Sequence, residues 1–549
     1  MRHKPAKRAY ERPSVIYVSA AEHRKVVFAS SLGTVFEWYD FYLYATLAPF
    51  FASLFFPHGN ETAALLSALA TYAAGFLIRP VGALVFGSLG DRKGRKHAFL
   101  ITVVLMGGAT FAMGLLPTYD QIGWLAPLML VLLRLTQGFA LGGEYGGAAT
   151  YVAEHTPAPM RGLATGWIQA TATLGFLMTL LIIIVCRNMI PPEQFKAWGW
   201  RIPFMLSIFL LVLSAYIRLK LNESPLFKRL KATGKLSKAP IRESFLNAKN
   251  GWYVLLALFG ATAGQAVIWY MGQFYALFFL QITLKADYDI AYKLIIMALL
   301  ISTPLFVFFG WLSDMIGRKP IILAGCFLAM LTYFPIFQGL TYAVNPDLVA
   351  FQKHNPVTLS VDRTTCHAPF FISLKASPSD CDYARAYLTE LGVSFHIEDT
   401  PGVGGLVSIG TETAIPISQW EEAWRSDAVF TALQMHGYPE KADPAKINLV
   451  MAVFLLTVLM IYVCMVYGPI AAFLVELFPT RIRYTSLSLP YHIGNGWFGG
   501  MLPFVSMAMV AVSGSIYYGL LYPMGVAMMT FMIGLIFLPN KRGEELPHE

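Results

Sequence analysis

The chain has 549 residues, 56% hydrophobic and only 13% charged, with a net charge of +9. Soluble domains carry about 25% charged residues, so a single water-soluble core is excluded, as are a disordered chain, a collagen-like repeat and a small disulfide scaffold. In a soluble protein this charge would raise nucleic acid; here the question is where the 41 Lys and Arg lie relative to membrane spans.

In chain order, residues 1–25 form a basic tail, too charged for a cleavable signal peptide. Apolar runs long enough to cross a bilayer follow at 26–56, 62–89, 98–116, 124–154, 162–187 and 200–220, an N-terminal six-helix bundle over 26–220. A basic linker covers 221–250, with nine Lys and Arg from Arg218 to Lys249. Runs at 251–282, 290–312 and 321–343 open the second bundle, and 448–475, 483–512 and 515–538 complete it before the 539–549 tail. Between them, 344–447 is the one long segment without a span. Seven Lys and Arg precede span one, and Arg92, Lys93, Arg95 and Lys96 follow span two, whereas the connections after spans one and three have none. Basic connections stay inside, so an even span count places both termini in the cytoplasm. The expected fold is an all-α polytopic membrane protein of twelve helices in two bundles, with a small α/β extracytoplasmic insert between helices nine and ten.

Internal repetition supports two halves. Gly87-x3-Asp91-x2-Gly94-Arg95-Lys96 recurs as Gly310-x3-Asp314-x2-Gly317-Arg318-Lys319, and Glu154-x2-Pro157-x3-Arg161 recurs as Glu476-x2-Pro479-x3-Arg483. The first pair is offset by 223 residues and the second by 322, so the second half has gained 99 residues between spans nine and ten. The insert has a net charge of −6, leaving +15 for the remainder. Strands are expected at Phe370 to Leu374, Val393 to Ile397 and Leu406 to Ile409. A helix is expected after the cap residue Ser379, and another after a Ser418/Glu421 capping box with Trp420 and Trp424. Cys366 and Cys381 are candidates for a disulfide in an oxidising exterior.

These motifs resemble the major facilitator superfamily, whose loop signature both G-x3-D-x2-G-R-K copies match. The first half resembles its metabolite–proton symporters more narrowly, through Phe36-Glu37-Trp38-Tyr39-Asp40-Phe41 and Arg134-x2-Gln137-Gly138-x3-Gly142-Gly143-Glu144-Tyr145-Gly146-Gly147. Pro159-x-Arg161-Gly162, Glu223-Ser224-Pro225 and Glu476-Leu-Phe-Pro479-Thr-Arg481-x-Arg483 fit the same pattern. The resemblance implies transport of small carboxylic acids or zwitterions with protons. It also implies that the duplicated loops latch the halves when the protein opens outward; the cytoplasmic gate would comprise Gly87, Asp91, Gly94, Arg95, Arg161, Asp314, Gly317 and Arg318.

A charge at mid-bilayer costs roughly 2.5–3.5 kcal/mol, so it is paired or faces a cavity. Glu37 and Asp40 share one helix face; with Glu144 they are the candidate proton carriers. Arg79 lies about 18 Å from Asp91 along its helix, and Arg79 or Arg134 offers a fork for a carboxylate. Tyr44, Gln137, Gln265, Trp269, His492 and Asn495 are candidate substrate contacts, with interhelical hydrogen bonding equally open to each of the second-half groups Gln265, Trp269, Gln273, His492 and Asn495, and a structural role the commoner one for a lone buried histidine such as His492. The aromatic residues are assigned mainly to lipid-facing and interfacial positions. Asp399-Thr-Pro-Gly402 reads as a turn, and no phosphate loop, zinc-spaced Cys/His cluster or nucleophile elbow is present. The expectation is a monomeric secondary transporter of a bacterial inner membrane, not an enzyme. It would need no cofactor beyond a proton gradient, with substrate, protons and membrane lipid as its partners and no nucleic acid. Antiport, or sensing through the insert, remains open.

Overall fold

The computed structural model describes residues 20–56, 71, 74–220, 222–367, 379–401, 405–411, 413–416, 423–540 and 542–543. The expected strand at Phe370 to Leu374 and the Ser418/Glu421 box lie outside them, as does most of the basic N-terminal tail. Ten described helices are long and apolar enough to cross a membrane. Span one, Ala20–Phe55, and the described part of span two, Arg79–Lys93, bring the series to twelve.

Charge and turn chemistry set the helix ends. Gly94 and Gly317 take φ of +123° and +100° at the two corresponding turns, a region L side chains rarely adopt. Glu223 caps span three (Arg95–Leu115), accepting from the backbone N–H groups of Arg95 and Lys96 at 3.2 and 3.3 Å. Span four (Leu125–Glu154) packs on span two through glycine: a Cβ on Gly142 would strike the Arg79 carbonyl, and one on Gly138 the Gly75 carbonyl.

The bundles meet chiefly where span five (Arg161–Met189) packs on span eight (Tyr288–Ile316), and span two on span eleven, which starts at Arg483. Span seven, Ala248–Thr283, contains three π turns, and span eleven one at Gly494–Gly499. Such widened turns often mark functional helices.

The insert is a four-stranded sheet with flanking helices. β1 is Val357–Val361, β2 Phe395–Asp399, β3 Leu406–Ile409 and β4 Thr413–Pro416. Their order is β2-β1-β3-β4, with β1 and β2 parallel and the other neighbours antiparallel. The Asp380–Glu390 helix makes the crossover between the parallel strands, capped by Ser379. The expected strands at Val393 to Ile397 and Leu406 to Ile409 are β2, shifted by two residues, and β3. β1 and β4 escaped the sequence reading. Cys366 and Cys381 are disulfide-bonded, with Cα atoms 5.3 Å apart.

This module sits on the second bundle. Phe395 N–H donates to Gly514 O at 2.7 Å beyond span eleven, and Ala442 N–H to Lys285 O at 3.0 Å between spans seven and eight. The Asn345 side chain donates to Leu284 O at 3.0 Å. Main-chain bonds of this kind seat the insert as an extension of one bundle.

Asp382 joins the insert's disulfide loop to its helix. It accepts from His367 N–H at 2.8 Å, His367 Nδ1 at 2.7 Å and Ser379 N–H at 2.9 Å. Partial burial works against its ionised form, but the hydrogen bonds from Ser379 and His367 outweigh it and hold the carboxyl below its ordinary value. Arg385 also faces it. A depressed folded pKa means that this contribution is complete above the ordinary aspartate value of about 3.9 and is lost as pH falls further. Amide exchange over Asp380–Glu390 in the full chain should therefore quicken between pH 4 and pH 2, about the window below that value. Asp382→Asn should remove that pH step while raising exchange at neutral pH.

Candidate functional site

The buried charges of the first bundle fall into distinct settings. Glu37 forms an ion pair with Arg218 of span six (Arg201–Leu219), and both are buried. Arg218 also donates to Phe99 O at 3.0 Å and lies over the Phe99 ring. Counting Arg218 with the basic linker is thus corrected: its stem belongs to span six, and its charge answers Glu37. Asp40, one turn on, has no cation partner among the described residues and accepts from the Ser207 hydroxyl at 2.5 Å. Glu144 is buried on span four, also without an ion pair among the described residues.

Arg79 and Arg134 share the ring of Phe41, with guanidinium carbons 4.5 and 5.1 Å from its centroid. Arg134 also lies 4.4 Å from the Tyr44 ring centre and donates to Gln137 at 2.6 Å, and Gln137 donates to Thr110 at 2.6 Å. Tyr44, Arg134 and Gln137 therefore form one chain within the first bundle. Arg79 points the other way. It is 1% exposed, has no carboxylate partner among the described residues, and faces Tyr270 of span seven. Its Nε and Nη2, both ring nitrogens of His492 and the Trp269 Nε1 have no hydrogen-bond partner among the described residues. Buried polar atoms are ordinarily satisfied, so this cluster of orphans at the interface is the strongest mark of a ligand site.

Aromatic rings wall it from both halves. Trp269 stands 6.0 Å from Trp38 and 6.1 Å from Tyr42 of span one. Tyr145 of span four stacks on Tyr491 of span eleven at 3.5 Å, and the Tyr491 and Tyr467 hydroxyls are 2.9 Å apart. Gln169 crosses the same interface, donating to the Tyr145 hydroxyl at 2.8 Å and Tyr467 O at 2.9 Å. Assigning the aromatic content mainly to lipid is corrected for these residues; only their clustering in three dimensions reveals the cage. Gln265 and Asn495 bond reciprocally at 3.1 and 3.2 Å within the second bundle. Their amides satisfy each other, as interhelical bonding requires.

At the end of the bundles that the positive charges mark as the expected cytoplasmic side, two ion clusters repeat across the pseudo-twofold. In the first, Asp91 accepts from Thr485 N–H at 2.9 Å and its hydroxyl at 2.7 Å, at the start of span eleven. Arg95 lies 3.2 Å from Asp91 and 3.6 Å from Glu154, and Glu154 pairs with Arg483 at 3.0 Å. In the second, Asp314 accepts from the N–H groups of Gly162 and Leu163, both at 2.8 Å, at the start of span five. Arg318 lies 2.6 Å from Asp314 and 3.0 Å from Glu476, which pairs with Arg161 at 2.8 Å. Each aspartate thus caps a helix N-terminus of the opposite bundle, where the helix dipole favours an anion. Gly87 lets span two approach, since its Cβ would lie 2.9 Å from Thr485 Cα. Gly94 and Gly317 serve the turns instead. Glu154, Glu476 and Arg483, visible in the second repeat, complete clusters that the first repeat alone left half-built.

The family model described as "Sugar (and other) transporter" matches residues 25–250. A proline/betaine transporter of Salmonella typhimurium is 36% identical over 334 residues, 59% of this chain and 66% of that protein. A putative proline/betaine transporter of Staphylococcus aureus is 37% identical over 320 residues, 58% of this chain and 68% of the relative. A glycine betaine/proline/ectoine/pipecolic acid transporter of Dickeya dadantii is 35% identical over 340 residues, 59% and 66% of the two chains. The chain thus spans about two thirds of the length of the curated relatives it matches. Among solved structures, the proton:xylose symporter XylE bound to 6-bromo-6-deoxy-D-glucose superposes with a TM-score of 0.62 at 16% identity, covering 96% of this chain and 98% of that one. That likeness establishes the fold.

Glu476→Gln would leave Arg161 and Arg318 buried around a neutral amide. Stranding a buried charge costs roughly 3–5 kcal/mol. The expected outcome is faster amide exchange at Gly162 and Leu163, whose N–H groups donate to Asp314, together with a lower melting temperature of the purified protein.

Proposed function

Because the chain belongs to the major facilitator superfamily of transporters, we propose that it carries a small carboxylate-bearing solute, an anion or a betaine-like zwitterion, together with protons by alternating access. The single observation that carries this reading is Arg79, a guanidinium buried between the bundles with no carboxylate partner among the described residues. A substrate carboxylate supplies the missing counter-charge through a bidentate pair. The Trp38, Tyr42 and Trp269 rings beside it suit a methylated or secondary ammonium through cation–π attraction. His492 and the Tyr270 hydroxyl are the second bundle's polar contacts to the same solute.

Proton carriage falls to Asp40. Glu37 already has Arg218 as a counter-ion, which favours its charged form, whereas Asp40 has one hydroxyl and no cation. Rocking of the bundles exposes the midplane site to each side in turn, and the two cytoplasmic ion clusters act as the latch that holds the inner side shut. Both termini lie in the cytoplasm of a bacterial inner-membrane protein, a monomer bathed in lipid and driven by the proton gradient without a cofactor.

Radiolabelled glycine betaine, proline and simple organic acids, offered to proteoliposomes with and without an imposed proton gradient, test this directly. Uptake of at least one carboxylate should rise with the gradient; accumulation indifferent to it, or no carboxylate taken up, defeats the reading. Asp40→Asn should abolish uphill uptake yet spare counterflow exchange. Arg79→Ala should weaken substrate binding by roughly tenfold or more, the loss of a charged hydrogen-bonded pair worth about 1.5–3 kcal/mol.

A further inference from the structure

The duplicated latch is asymmetric at one position. The repeat that aligns Arg161 with Arg483 also aligns Gly162 with Tyr484. At the first, spans five and eight meet backbone to backbone: a Cβ on Gly162 would strike Gly310 O. At the second, a large ring occupies the equivalent place, and the opposite bundle has made room for it. One edge of the Tyr484 ring lies on Gly90 of span two. The other edge lies on Gly146 of span four, where a Cβ would come within 2.9 Å of Cε2 and 2.0 Å of Ser488 Oγ, one turn along span eleven. The hydroxyl meets Gly147, where a Cβ would lie 2.6 Å away, and donates to the Gly143 carbonyl. The ring is fully buried.

Three glycines on two helices, Gly90, Gly146 and Gly147, thus form with the Gly143 carbonyl a slot fitted to one side chain of the other bundle. Packing of span four on span two is carried by Gly138, Gly142 and Gly143, whose Cβ would strike Phe86, and not by Gly146 or Gly147. The same stretch of span four holds Tyr145, whose ring stacks on Tyr491, two turns beyond Tyr484 on span eleven. Asp91 and Arg218 flank the pin electrostatically. We infer that Tyr484 is a positioning pin: seated in the slot of Gly90, Gly143, Gly146 and Gly147, it fixes span eleven against span four. Seating therefore keeps the cytoplasmic side closed and holds the Tyr145–Tyr491 stack at the central site. Opening inward requires the ring to leave the slot. This rests on the alternating-access reading above, but its test needs neither substrate nor gradient.

Spin labels on cysteines replacing Lys93 and Arg481 report the separation of the bundles at the cytoplasmic face. The three free cysteines are buried and the other two are disulfide-bonded, so they stay silent. In the full-length protein in nanodiscs, Gly90→Ala and Tyr484→Ala should each raise the long-distance population by about threefold or more, a shift within reach of a contact of this size. Tyr484→Phe, which keeps the ring and loses the bond to Gly143, should fall between wild type and Tyr484→Ala. The double variant Gly90→Ala/Tyr484→Ala should open no further than Tyr484→Ala, because the three atoms nearest the added methyl all belong to the Tyr484 ring. Additive opening, or an unchanged distribution in Tyr484→Ala, overturns the pin. If Gly90→Ala does not fold, the Tyr484→Ala and Tyr484→Phe distributions decide alone. A shifted distribution with no carboxylate uptake would instead defeat the transport reading and leave the pin standing.

Discussion

Charge in a low-dielectric interior must be answered by charge, and the arrangement of this protein follows from that constraint. Removing an ion from water costs several kcal/mol, and each cytoplasmic cluster meets the cost with two carboxylates and two arginines drawn from both bundles. Glu37 and Arg218 balance each other in the same way inside the first bundle. Once these are paired off, Asp40 keeps a hydroxyl partner and no cation, and Arg79 no carboxylate, among the described residues. An acid and a cation held apart in this way are the features on which the proposed proton and anion binding rests.

The two kinds of charge have different mechanical consequences. A cluster that spans the bundles resists their separation and favours one closed arrangement. Its geometry is directional, because each aspartate is held by backbone N–H groups at a helix start of the opposite half. Around Arg79 and the facing aromatic rings, no such cross-bundle ion pair stands among the described residues. The cross-bundle contacts there are rings and single hydrogen bonds, such as the Tyr145–Tyr491 stack and Gln169 with Tyr467. Aromatic contacts tolerate sliding and regrouping at modest cost. Rigid ends and a yielding centre suit a pair of bundles that rock about their middle.

Much of this was legible in the sequence, for reasons that can be named. Span count followed from hydropathy because every backbone polar group in lipid must be satisfied within a helix. The insert emerged from two unequal repeat offsets, and the gate from a repeated Asp and Gly spacing that positive-inside anchoring alone does not require. What stayed hidden depends on distance between segments remote in sequence. Arg218 looked like a linker charge until its helix placed it beside Glu37. Trp38, Tyr145, Trp269 and Tyr491 are four of 78 aromatic residues, and only the fold gathers them. Gln265 and Asn495, both open to substrate from sequence, are turned toward each other by spans seven and eleven.

The insert fits the same logic of division. Its docking bonds run to the connections after spans seven and eleven, the two helices that give the second bundle its site residues and that carry the π turns. Gly514, at φ +78°, and Gly392, at φ +69°, bring the main chains of insert and bundle together where a Cβ would intrude. A domain of net charge −6 fixed this way moves with the second bundle as the halves rock. Its weight and its acidic field are thereby assigned to one half of the machine. The first bundle, which holds Glu37, Asp40, Glu144, Arg79 and Arg134, carries no such module among its described residues.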